Sequence, residues 1–444
     1  MQQNLTSGSV FQNVVRFSLP YLLSYFLQTL YGMADLFIVG QFEPVAATTA
    51  VSIGSQVMHM LTVMLVGLAM GTTVTIAQAV GAGDKKRAAR AVGNTVTLFG
   101  GISALLTVVL LLLVRRITAV MSTPAEAVSG TVQYLTICFL GIPFITAYNV
   151  LSSIFRGMGN SKSPMYFIAC ACVCNIALDY LFMGALRLGP AGAALGTTLS
   201  QAISVLLALL TIRKRGLGLP MHRSDLRPDK AVSGDILKIG LPITCQDGLI
   251  QVAFIVITVI ANQRGLTDAA AVGIVEKVIS FLFLVPSSML STVSALGAQN
   301  IGAGKPERAR KTLLYAILLA AGFGVIVAAI VQFVAGLFTP DEAAIVAGGQ
   351  YLRGYIFDCI FAGLHFSFSG YFCACGKSGL SFLHNITAIV LVRVPGVWLM
   401  SRMYPQTLLP MGLATAAGSA LSVVICVIAY TVLRKKEARA ALGG

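Results

Sequence analysis

Sixteen acidic side chains are spread over 444 residues, and five of them fall inside long apolar runs: Asp35, Asp179, Asp247, Glu276 and Asp358. A carboxylate in such a run costs about 2.5–3.5 kcal/mol or more, so each is a candidate for function. A carboxylate held there can carry a proton, a metal cation or a cationic ligand. Asp35 and Asp179 come with further oxygens. Asn175 precedes Asp179 by one helical turn on the same face, and Thr197 lies in the following apolar run. Two carboxylates, an amide and a hydroxyl from three helices suit a relay in which the acids share a proton. They suit a small cage for Na+ equally well. Asp247, Glu276 and Asp358 lie nearer the middle of their runs and would attract a cationic substrate. Ion pairing is the plainer role for two of them, Glu276 with Lys277 or Arg393 and Asp358 with Arg353.

Other chemistry-bearing residues carry less. Gly370–Ser378 has the look of a phosphate loop, but its glycines are spaced wrongly and no strand precedes it. The 4 histidines show no ligand spacing, so His59, His365 and His384 read as helix-packing or cavity-lining residues. Most of the 9 cysteines sit in apolar runs. The alternation of Cys170, Cys172 and Cys174 spreads them around a helix, so they read as small buried hydrophobes rather than metal ligands or disulfides. No cofactor is expected beyond an ion at these carboxylates, H+ or Na+.

The elements that position these residues follow from composition. The chain is 57% hydrophobic and 11% charged, against about 25% charged in soluble proteins. That excludes a soluble enzyme and a disordered chain. Segments of about 20 apolar residues recur about twelve times, near 14–40, 48–78, 93–114, 131–154, 164–184, 191–212, 237–262, 269–297, 312–337, 348–373, 380–402 and 410–433. The first is read as a full span rather than a cleavable leader. A polar linker, Arg213–Lys230, divides the series. The expected organisation is a six-helix bundle over 1–212, a cytoplasmic linker over 213–235 and a second six-helix bundle over 236–444. Most of the 31 Lys and Arg, Arg156 among them, fall in the tails and the loops on one side. By the positive-inside bias both termini are cytoplasmic. The net charge of +15 is then a topology signal and not a nucleic-acid footprint. At a rise of 1.5 Å per residue, Asp35 and Asp179 lie roughly 7–8 Å below the outer end of their spans and Thr197 roughly 9 Å. The four oxygen-bearing residues therefore share a layer. Pro20, Pro143, Pro242, Pro286 and Pro395 interrupt spans, as transporter helices tolerate beside a cavity. Pro20 is the expected site of a bend that moves with ion binding.

The two halves resemble each other at an offset of about 220 residues. Phe17–Leu23 answers Ile239–Cys245, Ala77–Arg90 answers Ala298–Lys311, and Phe155–Ser161 answers Phe372–Ser378. An even number of spans per repeat makes the repeats parallel, related by a pseudo-two-fold along the membrane normal. The repeat is not complete. Asp35 shifts onto Ile257 and Asp179 onto Val397, so the pair of acids exists in the first half alone.

The early Pro20, MADLFIVG around Asp35, the basic GAG loop in each half, RGMGNSKSP, NIALDYLF and GAALGTTLSQ together resemble the multidrug and toxic-compound extrusion (MATE) family, over essentially the whole chain. The resemblance implies an all-α integral membrane transporter, not an enzyme. It would export small organic compounds, often cationic, in exchange for H+ or Na+ by alternating access. It also puts the cation site on Asp35, Asn175, Asp179 and Thr197. One branch of the family keeps acids at other places in the C-terminal half. The matching positions here, near Ile250 and Leu364, are apolar. The expected setting is the cell membrane, as a monomer with the bilayer as its surroundings and no nucleic-acid partner. Two other classes fit less well. A lipid-linked precursor flippase would need a strongly basic cavity, and an intramembrane enzyme would leave the repeat without a role.

Overall fold

Long apolar runs with few breakers can satisfy their backbone in lipid only as helices, and helices are what form. The computed structural model describes residues 5–334 and 343–442, and among these there is no strand. In chain order the helices are α1 Val10–Phe42, α2 Val45–Gly81, α3 Lys85–Val120, α4 Ala125–Leu140, α5 Ile142–Gly157, α6 Lys162–Asp179, α7 Pro190–Arg215 and α8 Lys230–Asn262. They continue as α9 Leu266–Leu282, α10 Leu284–Gly302, α11 Pro306–Val334, α12 Ala343–Tyr355, α13 Phe357–Ala374, α14 Gly379–Ala388, α15 Val394–Met403 and α16 Leu409–Leu442. Wider π-helical turns follow α6 (Tyr180–Ala185) and link α14 to α15 (Ile389–Arg393).

Among the described residues 11 helical segments are long and apolar enough to span a membrane, and a bent pair brings the number to 12. The bent pair is the expected span 131–154, which breaks at Gly141 into α4 and α5 with a 47° turn. Pro143 sits in the first turn of α5, where its missing N–H costs nothing but cannot continue the preceding helix. The other prolines divide. Pro286 and Pro395 also start helical segments, whereas Pro20 and Pro242 lie inside unbroken α1 and α8. The end of the expected span 312–337, beyond residue 334, lies outside the described residues.

The chain forms two compact units. Residues 19–240 make the first, and residues 5–18 with the described part of 241–444 make the second. Each has the same internal order of packing. In the first, α2 packs on α4 and α5, α3 on α5, and α4, α5 and α6 on α7; in the second, α9 packs on α12, α10 on α13, α11 on α13, and α12, α13 and α14 on α16. The repeat extends to loop geometry. Gly83 and Gly304 take φ of 72° and 68°, and Gly159 and Gly376 take 85° and 68°. Each closes a helix end in the left-handed conformation that glycine adopts without a Cβ penalty. The amides that follow reach back alike: Asp84 N–H to the Ala79 carbonyl (3.0 Å), Lys305 N–H to that of Asn300 (2.8 Å).

In the first unit the linker is tied down on α3. Asn94 Nδ2 donates to the Asp225 carbonyl (3.3 Å), its Oδ1 accepts from Asp229 N–H (2.6 Å), and Thr97 Oγ1 donates to the Leu226 carbonyl (2.7 Å). Arg156, read from sequence as a loop charge, is instead buried at the end of α5, its guanidinium 4.0 Å from the Tyr21 ring centre. In the second unit α12 and α16 touch through backbone: a β-carbon at Gly354 would strike the Leu409 carbonyl, and one at Gly412 the Tyr351 carbonyl. Large apolar side chains face outward. Leu105, Val108, Val109 and Leu112 form an exposed stripe on α3, which lipid accepts and water would not. All nine cysteines are free, five of them buried, while Cys245 is exposed.

Candidate cation site

Three helices of the first unit bring the four expected residues together. Asp35 comes from α1, Asn175 and Asp179 from successive turns at the end of α6, and Thr197 from α7. Asp35 is 2% exposed, and Asn175 and Asp179 are 0% exposed. Thr197 is half-buried and donates its hydroxyl to Asp35 Oδ2 at 3.0 Å. Asp179 and Asn175 are the other neighbours of the Asp35 carboxyl in this layer. With both acids ionised neither can donate to the other. Asp35 Oδ1, both Asp179 oxygens and both Asn175 amide atoms have no hydrogen-bond partner.

The local backbone explains how the group is held. The π-helical turn begins at the residue after Asp179, and its wider ring is closed by Leu186 N–H donating to the Leu181 carbonyl (2.9 Å). Such turns inside α-helices recur at functional sites. Gly196, next to Thr197, provides the space for Asp179, because a β-carbon there would overlap Asp179 Oδ1. Sequence reasoning missed this role of Gly196. It also missed Tyr31 and Gln201, one turn from Asp35 and Thr197, where Gln201 Nε2 donates to the Tyr31 hydroxyl at 3.4 Å. The i±4 spacing from the site residues was the available signal.

Among the described residues no Lys, Arg or His forms an ion pair with Asp35 or Asp179. Two buried carboxylates without a cationic side chain are costly unless charge is supplied from outside the protein. A proton shared between them supplies it, and so does a monovalent cation held by carboxylate, amide and hydroxyl oxygens.

The acids of the second unit are placed differently. Asp247 on α8 is half-buried. Glu276 on α9 pairs with neither Lys277 nor Arg393; its Oε2 accepts from Thr258 Oγ1 at 3.1 Å, and its Oε1 is unpartnered. Asp358 at the start of α13 pairs with Arg393 (2.7 Å) and not with Arg353. Five residues along a helix is about 140° around it, and the break at Ile356 intervenes, so Arg353 does not face Asp358. Ile257 and Val397, the repeat equivalents of Asp35 and Asp179, are buried in one apolar cluster. His384 packs between helices, with Nε2 2.8 Å from Ser369 Oγ and Nδ1 3.3 Å from Ser422 Oγ. His365 and Arg393 line a small cavity with Asn385, Ser419 and Ser422.

Comparison with known proteins agrees with this architecture. The MatE family model matches residues 20–181 and 242–399. The chain is 28% identical over 414 residues to "Probable multidrug resistance protein YpnP" of Bacillus subtilis (strain 168), covering 92% of this chain and 93% of that one. It is 25% identical over 408 residues to "Multidrug export protein MepA" of Staphylococcus aureus (strain MRSA252), covering 90% and 89%. Among solved structures, a multidrug resistance MATE family transporter of the MOP superfamily in an outward-facing conformation superposes with a TM-score of 0.89, 22% identity, and coverage of 98% of this chain and 100% of that one. A MATE in the bent conformation superposes with a TM-score of 0.90, 22% identity, and coverage of 99% and 100%. At that identity the structures speak for the fold, and the family match carries the assignment: this multi-pass membrane protein belongs to the MatE family of MATE transporters.

Proposed function

We propose that the chain is a multidrug efflux antiporter that exports organic cations in exchange for H+ or Na+ entering at Asp35, Asn175, Asp179 and Thr197. The relatives named for multidrug resistance and export support the efflux reading. The observation that carries the coupling site is the pair of buried carboxylates with unpartnered oxygens and no cationic side chain paired to them. Loading the pair with a proton or Na+ favours one facing state, and a cationic substrate favours the other, which is alternating access driven by differential affinity. One charge crossing 100 mV supplies about 2.3 kcal/mol, and each pH unit adds about 1.4 kcal/mol, enough to move such an equilibrium. Asp247 and Glu276 are the carboxylates offered to a cationic substrate; Asp358 contributes least, because Arg393 offsets its charge. The protein works as a monomer in the cell membrane with both termini cytoplasmic.

The test is export of a fluorescent organic cation from cells stripped of their own pumps, comparing wild type with Asp35→Asn at equal membrane levels. Export by wild type that is lost in the variant and on collapse of the ion gradients supports the proposal. Export that persists in Asp35→Asn removes the ion site.

A further inference from the structure

The second unit contains a counterpart of the cation site with the opposite content. In each unit the span that follows the Gly159 or Gly376 loop carries a π-helical turn with a buried charge at its edge. Asp179 immediately precedes one turn, and Arg393 is the last residue of the other. In each, a glycine on the next helix makes room for that charge. Gly196 does so for Asp179, and Gly418 for Arg393, whose Cβ would lie 2.8 Å from a β-carbon at 418. In the first unit the layer holds two carboxylates and unpartnered oxygens. In the second, Arg393 Nη2 donates to Asp358 Oδ2 at 2.7 Å and to Ser419 Oγ at 3.1 Å, with side-chain exposures of 8% for Arg393 and 0% for Asp358. Asp358 Oδ1 has no partner.

The geometry points to Arg393 as a tethered cation: it supplies from within the chain the positive charge that the first unit leaves to a mobile ion, and so closes Asp358 to H+ and Na+. The inference rests on the proposed reading of the first unit for the statement that coupling is confined there. Its claim about Asp358 stands separately. A buried pair that loses one partner leaves an uncompensated charge, whereas one that loses both does not. Removing the guanidinium while keeping the carboxylate therefore creates a demand for a cation. Asp358, Ser419 and the small cavity beside them, lined by His365, Asn385 and Ser422, offer a place for it. The other titratable groups around Asp358 and Arg393 are Tyr351 and Tyr355 on α12, Glu276 on α9, Cys359 and His365 on α13 and, against His365, His384 on α14. None of these supplies a fixed positive charge in place of Arg393.

The experiment uses the full-length protein with the first site disabled by Asp35→Asn and Asp179→Asn. Into that background go Arg393→Gln, Arg393→Lys, and Arg393→Gln with Asp358→Asn. Thermal unfolding in detergent is followed with NaCl against choline chloride at constant pH, and separately on acidification without Na+. Arg393→Gln is expected to gain a rise of several degrees with Na+, with protons, or with both, the two arms identifying which cation enters. Arg393→Lys and the Arg393→Gln/Asp358→Asn form should not respond. If Arg393→Gln yields folded protein only in Na+ or at low pH, that rescue is the same result. An Arg393→Gln protein indifferent to both ions, unrescued by either, or matched by the form lacking both charges would overturn the proposal. Because the first site is absent throughout, its own failure shows only as export that survives Asp35→Asn.

Discussion

Gly196 lies directly against Asp179, and the space that its missing side chain leaves is the space that the carboxylate occupies. The relationship couples a helix-packing position on α7 to the charge at the end of α6. Gly196→Ala must push Asp179 out of the layer it shares with Asp35 and Thr197. The expected result is loss of export with the protein still folded and inserted. Gly32→Ala, on α1 with nothing within 4 Å of its β-carbon, is the matched control and should keep wild-type export. Dye efflux at equal membrane levels checks both.

Among the described residues Thr197 makes the one side-chain hydrogen bond to the Asp35 carboxylate, at 3.0 Å. Thr197→Val keeps the shape and removes the donor, a loss of about 1 kcal/mol. That corresponds to roughly a fivefold shift in the ion concentration for half-maximal export. Thr197→Ser should restore it. A titration of efflux against Na+ and against pH reads the shift, and no difference between Val and Ser would remove Thr197 from the site.

Gly83 and Gly304 hold equivalent left-handed turns with open space around them. Alanine at either should cost about 1–2 kcal/mol from backbone conformation alone. The two substitutions should lower the unfolding temperature in detergent by similar amounts, while asparagine, which tolerates that conformation, should cost less. Unequal shifts would show that the two loops are not equivalent.

The linker is held on α3 mainly by Asn94, through two hydrogen bonds to the backbone at Asp225 and Asp229. Asn94→Ala should free residues 223–229 and speed tryptic cleavage after Arg223 and Lys230, Arg227 being shielded by the following Pro228. Limited proteolysis followed by mass mapping tests this, and an unchanged cleavage pattern would place the restraint elsewhere.

The membrane class and the grouping of Asp35, Asn175, Asp179 and Thr197 could be read from the sequence because both rest on costs that composition exposes. An intramembrane carboxylate is rare enough to be noticed, and the i, i+4 spacing of Asn175 and Asp179 puts them on one face whatever the tertiary structure. What composition does not encode is direction and partner. The run 131–154 is equally apolar before and after Gly141, so hydropathy counts one span where the chain turns through 47°. The π-helical turns at 180–185 and 389–393 are set by packing and leave no mark in residue type. Asp358 had a basic residue five positions away, yet its partner is Arg393, brought within reach because α13 and the segment before α15 both pack on α16. The repeat positions Ile257 and Val397 are apolar, but nothing in that comparison indicated the charge at Arg393, four residues before Val397.

Where α12 and α16 meet at Gly354 and Gly412, main chain lies on main chain with no side chain between. Side chains are the bearings on which packed helices slide, since a rotamer change absorbs a small displacement. A contact without them behaves as a weld: either helix can shift only by lifting the backbone of the other. The second unit is thus braced against internal shear along this line, and any displacement within it has to be taken up at joints other than this one.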